Sequence, residues 1–177
     1  MLFAWVSSAK TSQTIQWKSV KAADGYYIYG AKSNAKFKLL KTVSKKTRKW
    51  KHKKLRKGTQ YKYRVAAYKI IGKKRVIISN SLTVYSMTNG GKYGNPAKVK
   101  VKKTSLSVKS GKKTKLKVTV TGKKLSKSGK KVSYISADKS VAKVSKTGTV
   151  TGVKHGTTDI YCVARNGVFK KVRVKVK

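Results

Sequence analysis

The sequence contains no glutamate, and its acidic residues are three aspartates, Asp24, Asp138 and Asp159. Acid–base and glycoside chemistry need two carboxyl groups held close together. Three scattered aspartates do not supply several such sites, and they do not build an all-carboxylate calcium cage. The lone cysteine, Cys162, excludes an intrachain disulfide and any C-x-x-C zinc or redox motif. The two histidines, His52 and His155, lie far apart in the sequence, whereas zinc needs three or four clustered ligands. No cofactor or metal is expected. Long apolar runs are missing as well. The stretch from Leu2 to Val6 is shorter than the roughly 7–15 residues of a secretory h-region and has no basic segment before it. No transmembrane span is expected.

Positive charge is what the sequence has in excess. Its 177 residues carry 47 Lys+Arg against 3 Asp+Glu, a net +44, and all but six of the cations are lysine. Cut at Tyr93, the chain carries +22 in each half, so this is not a neutral domain with a basic tail. High charge with a hydrophobic content of 38% usually means disorder. The arrangement of the apolar residues argues for order instead. They alternate with lysine, as in Val99-Lys-Val101, Leu116-Lys-Val118-Thr-Val120 and Val172-Arg-Val174-Lys-Val176. Tyr61-Lys-Tyr63-Arg-Val65 does the same upstream. Period two places one set of side chains on each face of a strand. Turn signals separate the runs, among them Asp24-Gly25, Lys57-Gly58, Ser110-Gly111, Thr147-Gly148 and Asn166-Gly167. The expected class is all-β: two tandem antiparallel β-sandwiches.

The segment from Thr88 to Pro96 holds three glycines and the single proline and lacks apolar alternation. It reads as a linker over 89–96, between one domain at 1–88 and another at 97–177.

Each remaining candidate for chemistry has a plain structural role. Alternation with Ile160 and Ala164 turns Cys162 inward, where it acts as a small hydrophobe. His52 sits among cations. Asp24 and Asp138 precede strands or turns and are expected to bond their own backbone. Asp159 is expected to pair with a lysine. Trp17, Tyr26, Tyr61 and Tyr63 are in phase with a core. Tyr27, Tyr29 and Tyr68 are out of phase and are expected to face solvent beside Lys62 and Arg64, either as cross-strand pairs that stabilise the sheet or as an aromatic face able to stack on sugars or bases. The densest basic stretch comprises Arg48, Lys49, Lys51, Lys53, Lys54, Arg56 and Lys57, with Trp50 and Leu55 among them. A second cluster holds Lys112, Lys113, Lys115 and Lys117. Both are expected to meet polyanions by counterion release, with little sequence preference.

Two resemblances give these halves a family context. Ile15-Gln-Trp17, Ala23-Asp-Gly25-Tyr26-Tyr27-Ile28-Tyr29 and Leu55-x-x-Gly58-x-x-Tyr61 resemble a fibronectin type III domain over residues 2–88. The resemblance implies that Trp17 is the core tryptophan of the second strand. It also makes Tyr61 the corner tyrosine, its hydroxyl bonded to upstream backbone. The first strand, Leu2 to Ser8, departs from the family pattern. Ser105-Leu106-x-Val108-x-x-Gly111, Val132-Ser-Tyr134-x-Ser136-Ala-Asp138-x-Ser140-Val141-Ala142 and Thr147-Gly148-x-Val150-Thr-Gly152-Val153-x-x-Gly156 resemble a group 2 bacterial Ig-like domain over residues 97–177.

Both families are non-catalytic modules that fold without disulfides. They imply a non-enzymatic adhesion or cell-wall-associated protein at the surface of a Gram-positive-type bacterium, part of a larger secreted protein. The partners this implies are anionic cell-wall polymers: wall teichoic acid, anionic glycans or lipid headgroups. A phage virion or surface-filament component, with a host or virion protein partner, is a second reading. Non-specific nucleic-acid binding is a third. Lysine dominance and the lack of an RRM, KH or zinc-finger signature weigh against it.

Overall fold

The computed structural model describes residues 2–177. Among these residues there is no α-helix, only strands, turns and one 3-10 turn at Ser128–Lys130. The chain divides into two units, one ending at Asn95 and the other beginning at Pro96.

The first unit has eight strands: β1 (Ala4–Ser8), β2 (Gln13–Trp17), β3 (Gly25–Lys32), β4 (Lys38–Ser44), β5 (Lys49–His52), β6 (Gln60–Ile71), β7 (Lys74–Asn80) and β8 (Val84–Met87). They form a β1-β2-β5 sheet and a β4-β3-β6-β7 sheet, with β8 also paired to β6. Alternation decides which side chains meet between the sheets. Ile15, Tyr26, Ile28, Tyr63 and Val65 are fully buried, while the lysines between core positions point outward. Trp17 packs on Tyr26 with ring centroids 5.5 Å apart. Although Leu2–Ser8 departs from the family pattern, β1 pairs with β2 in unbroken register from Ala4↔Trp17 to Ser8↔Gln13.

The glycine-rich segment after β8 lies against this first unit. The Asn95 carboxamide accepts from the Met87 N–H at 2.8 Å and donates to the Met87 carbonyl at 2.6 Å, as a neighbouring strand would. The Asn89 N–H donates to the Ala9 carbonyl, and Gly91 packs so closely on Gly58 that neither has room for a Cβ.

The second unit has nine strands: β9 (Lys98–Val101), β10 (Ser105–Val108), β11 (Lys113–Lys115), β12 (Val118–Thr121), β13 (Val132–Ser136), β14 (Ala142–Val144), β15 (Thr149–Gly152), β16 (Gly156–Ala164) and β17 (Phe169–Val176). Its larger sheet has the order β10-β17-β16-β13, its smaller ones β11-β15-β14 and β12-β9. One pairing departs from the expected antiparallel pattern. β10 runs parallel to β17, with Ser107 opposite Lys175. The chain passes from β9, paired to β12, to the edge of the other sheet, and this change of sheet sets β10 beside β17 with the same direction. The core is aliphatic. Val150, Ile160, Cys162, Val172, Val174 and Val176 are fully buried. On β17 the intervening Lys171, Arg173 and Lys175 are exposed, so one strand is half core and half cationic surface.

Candidate functional site

The basic stretch at 48–57 is built on an edge strand, because β5 pairs only with β2. Lys49 and Lys51 point to solvent on β5, where charge protects an edge from adding another strand. Trp50 and His52 turn the other way and stack at 5.2 Å. Leu55 is buried and Trp50 half-buried against the core. Lys53, Lys54, Arg56 and Lys57 are exposed in the turn that follows. Arg48 is tied to its own turn. Its guanidinium donates to the carbonyls of Lys45 and Thr47 and lies 5.7 Å over the Tyr26 ring. It shares a shallow depression of about 450 Å³ with Lys21, Lys45 and Lys46.

The second cluster lies only partly in a groove. Lys112 and Lys113 stand apart, while Lys115 and Lys117 line a groove of about 680 Å³. Lys102, Lys103, Lys175 and Lys177 line it with them. Leu106 and Leu116 also line it, with the hydroxyls of Ser105, Ser107 and Thr114. Two pairings assemble the groove. The Lys102 N–H donates to the Lys117 carbonyl at 3.0 Å, and parallel β10–β17 pairing puts Ser107 beside Lys175. The four added lysines are not evident from local sequence density. The signal for Lys175 and Lys177 was the alternation of β17, but their neighbours come from residues 102–117, which only the sheet brings together.

No Asp or Glu lines this groove. Among the described residues the ion pairs gather at Asp159, which meets Lys171 at 3.0 Å and Arg173 at 3.7 Å. The remaining aspartates serve the backbone. Asp138 accepts from the Ser140 N–H at 2.8 Å and the Ser140 hydroxyl at 2.6 Å. These bonds, the hydroxyl's first, hold its carboxyl below the usual range. Asp24 corrects the expectation of a local turn bond. Its carboxylate accepts from the Ile70 N–H at 2.8 Å, across to β6.

The outer face of β3 and β6 carries an aromatic row. Tyr27 lies 6.1 Å from Tyr29 and 4.7 Å from Tyr68. Arg64 sits over Tyr29 at 5.4 Å and over Phe37 at 5.2 Å, and Arg75 over Tyr68 at 5.2 Å. Tyr68 does not face solvent as expected; it is only 6% exposed. A bulge at Ala67/Tyr68 and the bare Cα of Gly25 opposite let its ring lie down against the sheet, under Tyr27 and Arg75. Tyr27 and Tyr29 are half-buried. The rings already hold cations, which leaves them less surface for a planar ligand.

The other candidates are structural. Cys162 is fully buried, and burial pushes its thiol up to about 11, so it stays protonated. His52 Nδ1 lies 3.1 Å from the Tyr63 hydroxyl, which donates to Gln13 Oε1 at 2.8 Å. Partial burial lowers the His52 pKa. The Arg56 N–H donates to the Tyr61 hydroxyl at 3.2 Å, closing the expected corner. No group of three His, Cys, Asp or Glu is placed to hold a metal among the described residues, and no helix there is long and apolar enough to cross a membrane.

Residues 97–176 match the family model of the bacterial Ig-like domain (group 2). No curated protein matches the chain. Solved structures similar to about half of the chain include fibronectin type III domains. One, from human contactin 1, is 17% identical, with 49% of this chain and 73% of that chain covered at a TM-score of 0.42. FN3tt is 22% identical, with 49% and 88% covered and a TM-score of 0.40. A domain of human fibronectin type III domain containing protein 3 is 21% identical, with 50% and 84% covered and a TM-score of 0.39.

Proposed function

Residues 97–176 match the group 2 bacterial Ig-like family model, and on that basis we propose that the protein is a non-catalytic module of the bacterial exterior that holds anionic polymers against its lysine-rich faces. Group 2 Ig-like domains occur in bacterial surface proteins, and both kinds of module found here are generally non-catalytic. The observation that carries the reading is the groove lined by Lys102, Lys103, Lys115, Lys117, Lys175 and Lys177. Six like charges along one open groove repel one another within a Debye length of roughly 8 Å at physiological salt. A polymer with repeating phosphates relieves that repulsion and releases its own counterions. Lysine suits this task. Its compact ammonium on a flexible stem follows an irregular chain of phosphates, where a planar guanidinium would demand fixed bidentate geometry. Ser105, Ser107 and Thr114 add hydroxyls for phosphate or glycan oxygens.

The test measures retention of the intact protein on cell walls with and without teichoic acid, and on duplex DNA, across salt. Walls bearing teichoic acid are expected to retain it, with log K falling linearly against log salt. Replacing Lys102, Lys103, Lys115 and Lys117 by Gln should flatten that slope by about three. Equal retention on stripped walls, or an unchanged slope in the variant, sinks the proposal. Tighter, sequence-selective retention on DNA would favour the nucleic-acid reading instead.

A further inference from the structure

The strongest feature outside the groove is the β6–β7 ribbon of the first domain. β3 pairs with β6 only as far as Gly25↔Tyr68. Beyond that point β6 pairs with β7 alone, through Lys69↔Val76, Ile70↔Arg75 and Ile71↔Lys74. Asp24 caps the root by accepting the Ile70 N–H. The rest is a bare two-stranded projection turning at Gly72, whose φ is +59° and whose surroundings are open. Its side chains are not those of an exposed hairpin. Ile70, Ile71, Val76, Ile77 and Ile78 are each between 39% and 58% exposed. Four cations, Lys69, Lys73, Lys74 and Arg75, lie among them, and residues 69–78 contain no acid.

We propose that this ribbon docks the protein on an anionic lipid bilayer, its aliphatic side chains entering the headgroup–acyl boundary while its lysines hold lipid phosphates. Three observations favour a bilayer over a protein partner. First, directly paired residues share a face, so Ile70 and Ile77 lie on one side of the ribbon and Ile71 and Val76 on the other. A protein groove covers one face and a strand added to the β7 edge covers neither, whereas a fluid medium surrounds both. Second, each aliphatic residue of the projecting pairs faces a cation across the ribbon, as Val76 faces Lys69. That is the pattern in which long stems lie along apolar surface and their charged heads reach outward to phosphate. Third, the size fits. Three residue pairs extend about 10 Å at roughly 3.4 Å each, close to the 5–10 Å depth reached by interfacial apolar groups. A second copy of the chain is disfavoured, since its ribbon brings the same four cations against these.

This site is separate from the lysine groove, and the experiment keeps the two apart. Ile71→Trp, at the exposed tip, is mixed with phosphatidylglycerol–phosphatidylcholine vesicles, with pure phosphatidylcholine vesicles and with soluble polyphosphate. The emission that the introduced indole adds over the parent protein is expected to shift to the blue and to be quenched by acyl-chain bromines on the anionic vesicles alone. Adding Ile70→Ser and Ile77→Ser should weaken vesicle binding about tenfold or more, with polyphosphate binding unchanged. The four-lysine groove variant should keep the quenching of the introduced indole. Adsorption to vesicles without quenching overturns the proposal, as does full binding by the two-serine variant. A lipid-free blue shift that grows with protein concentration also overturns it, in favour of self-association.

Discussion

The two domains carry the same charge on different cores. The N-terminal core is built from large rings, Trp17, Tyr26, Tyr61 and Tyr63, and it buries polar atoms with them. Gln13 is fully buried and linked through the Tyr63 hydroxyl to His52. The C-terminal core is aliphatic, filled by small β-branched side chains around Cys162. Yet each half carries +22. The charge is therefore independent of how a core is filled: period two frees every other strand residue from packing, and turns such as that of Lys53 and Lys54 add to it. The two surfaces still differ in use. In the first domain part of the outward set is aromatic, so cations such as Arg64 lie on rings. In the second, the lysines of the groove stand beside hydroxyls and short aliphatics, and no ring is among them.

The sharpest way to break this comparison is to empty one core and watch the other. Trp17→Ala should destabilise the N-terminal domain by about 3–5 kcal/mol and leave the C-terminal unfolding transition in place, as urea unfolding with domain-resolved probes would show. One common transition that shifts as a whole would contradict separate cores. Cys162→Ser tests the aliphatic side. A hydroxyl without a partner there should cost the C-terminal domain about 1–3 kcal/mol. Tyr63→Phe should cost the N-terminal domain a similar or smaller amount, about 1–2 kcal/mol, because Gln13 loses a donor in a buried site. Chemical denaturation of each variant gives both values.

Titration separates the domains more gently. The His52 pKa is lowered by burial, so the unfolded chain binds more protons than the folded one below pH 6.5. Stability of the N-terminal domain is full above that value and declines as pH falls through it, and the decline should be absent in His52→Gln. On the acid side the C-terminal domain has Asp138, whose contribution is present above pH 3.8 and is lost only below it. On the alkaline side Cys162, raised by burial from 9.0 to about 11, contributes fully below pH 9.0 and less as pH climbs toward 11. Thermal melts across pH should therefore show the N-terminal transition falling first on acidification. The smallest effect should come from the surface. Single Lys→Gln changes such as Lys49→Gln are expected to move stability by no more than about 0.5 kcal/mol.

The legible part of this molecule is what local pattern controls. Alternation marked Trp17, Tyr26, Tyr63, Val65 and Cys162 as buried, and the Leu55–Gly58–Tyr61 spacing marked the corner bond to Arg56. Features made by distant segments were hidden. Lys102 and Lys175 come together only because a parallel pairing sets β10 beside β17. Tyr68 keeps its outward phase but loses its exposure to a bulge and a glycine on another strand. The apolar ribbon had a local sign that alternation obscures. Ile70-Ile71 and Val76-Ile77-Ile78 break period two, so both faces of that hairpin carry aliphatic side chains.

Asp159, with Lys171 and Arg173 around it, marks how little internal neutralisation the fold contains. The rest of the charge balance has to come from dissolved ions. An anion that engages only the folded faces adds RT ln(1 + [L]/Kd) to stability, about 2.7 kcal/mol at a hundredfold excess over Kd. The melting temperature of this protein is thus partly a property of its surroundings. A shift in that temperature, read across a panel of phosphates, glycans and vesicles, turns the shortage of acids into a reporter for whatever supplies the missing charge.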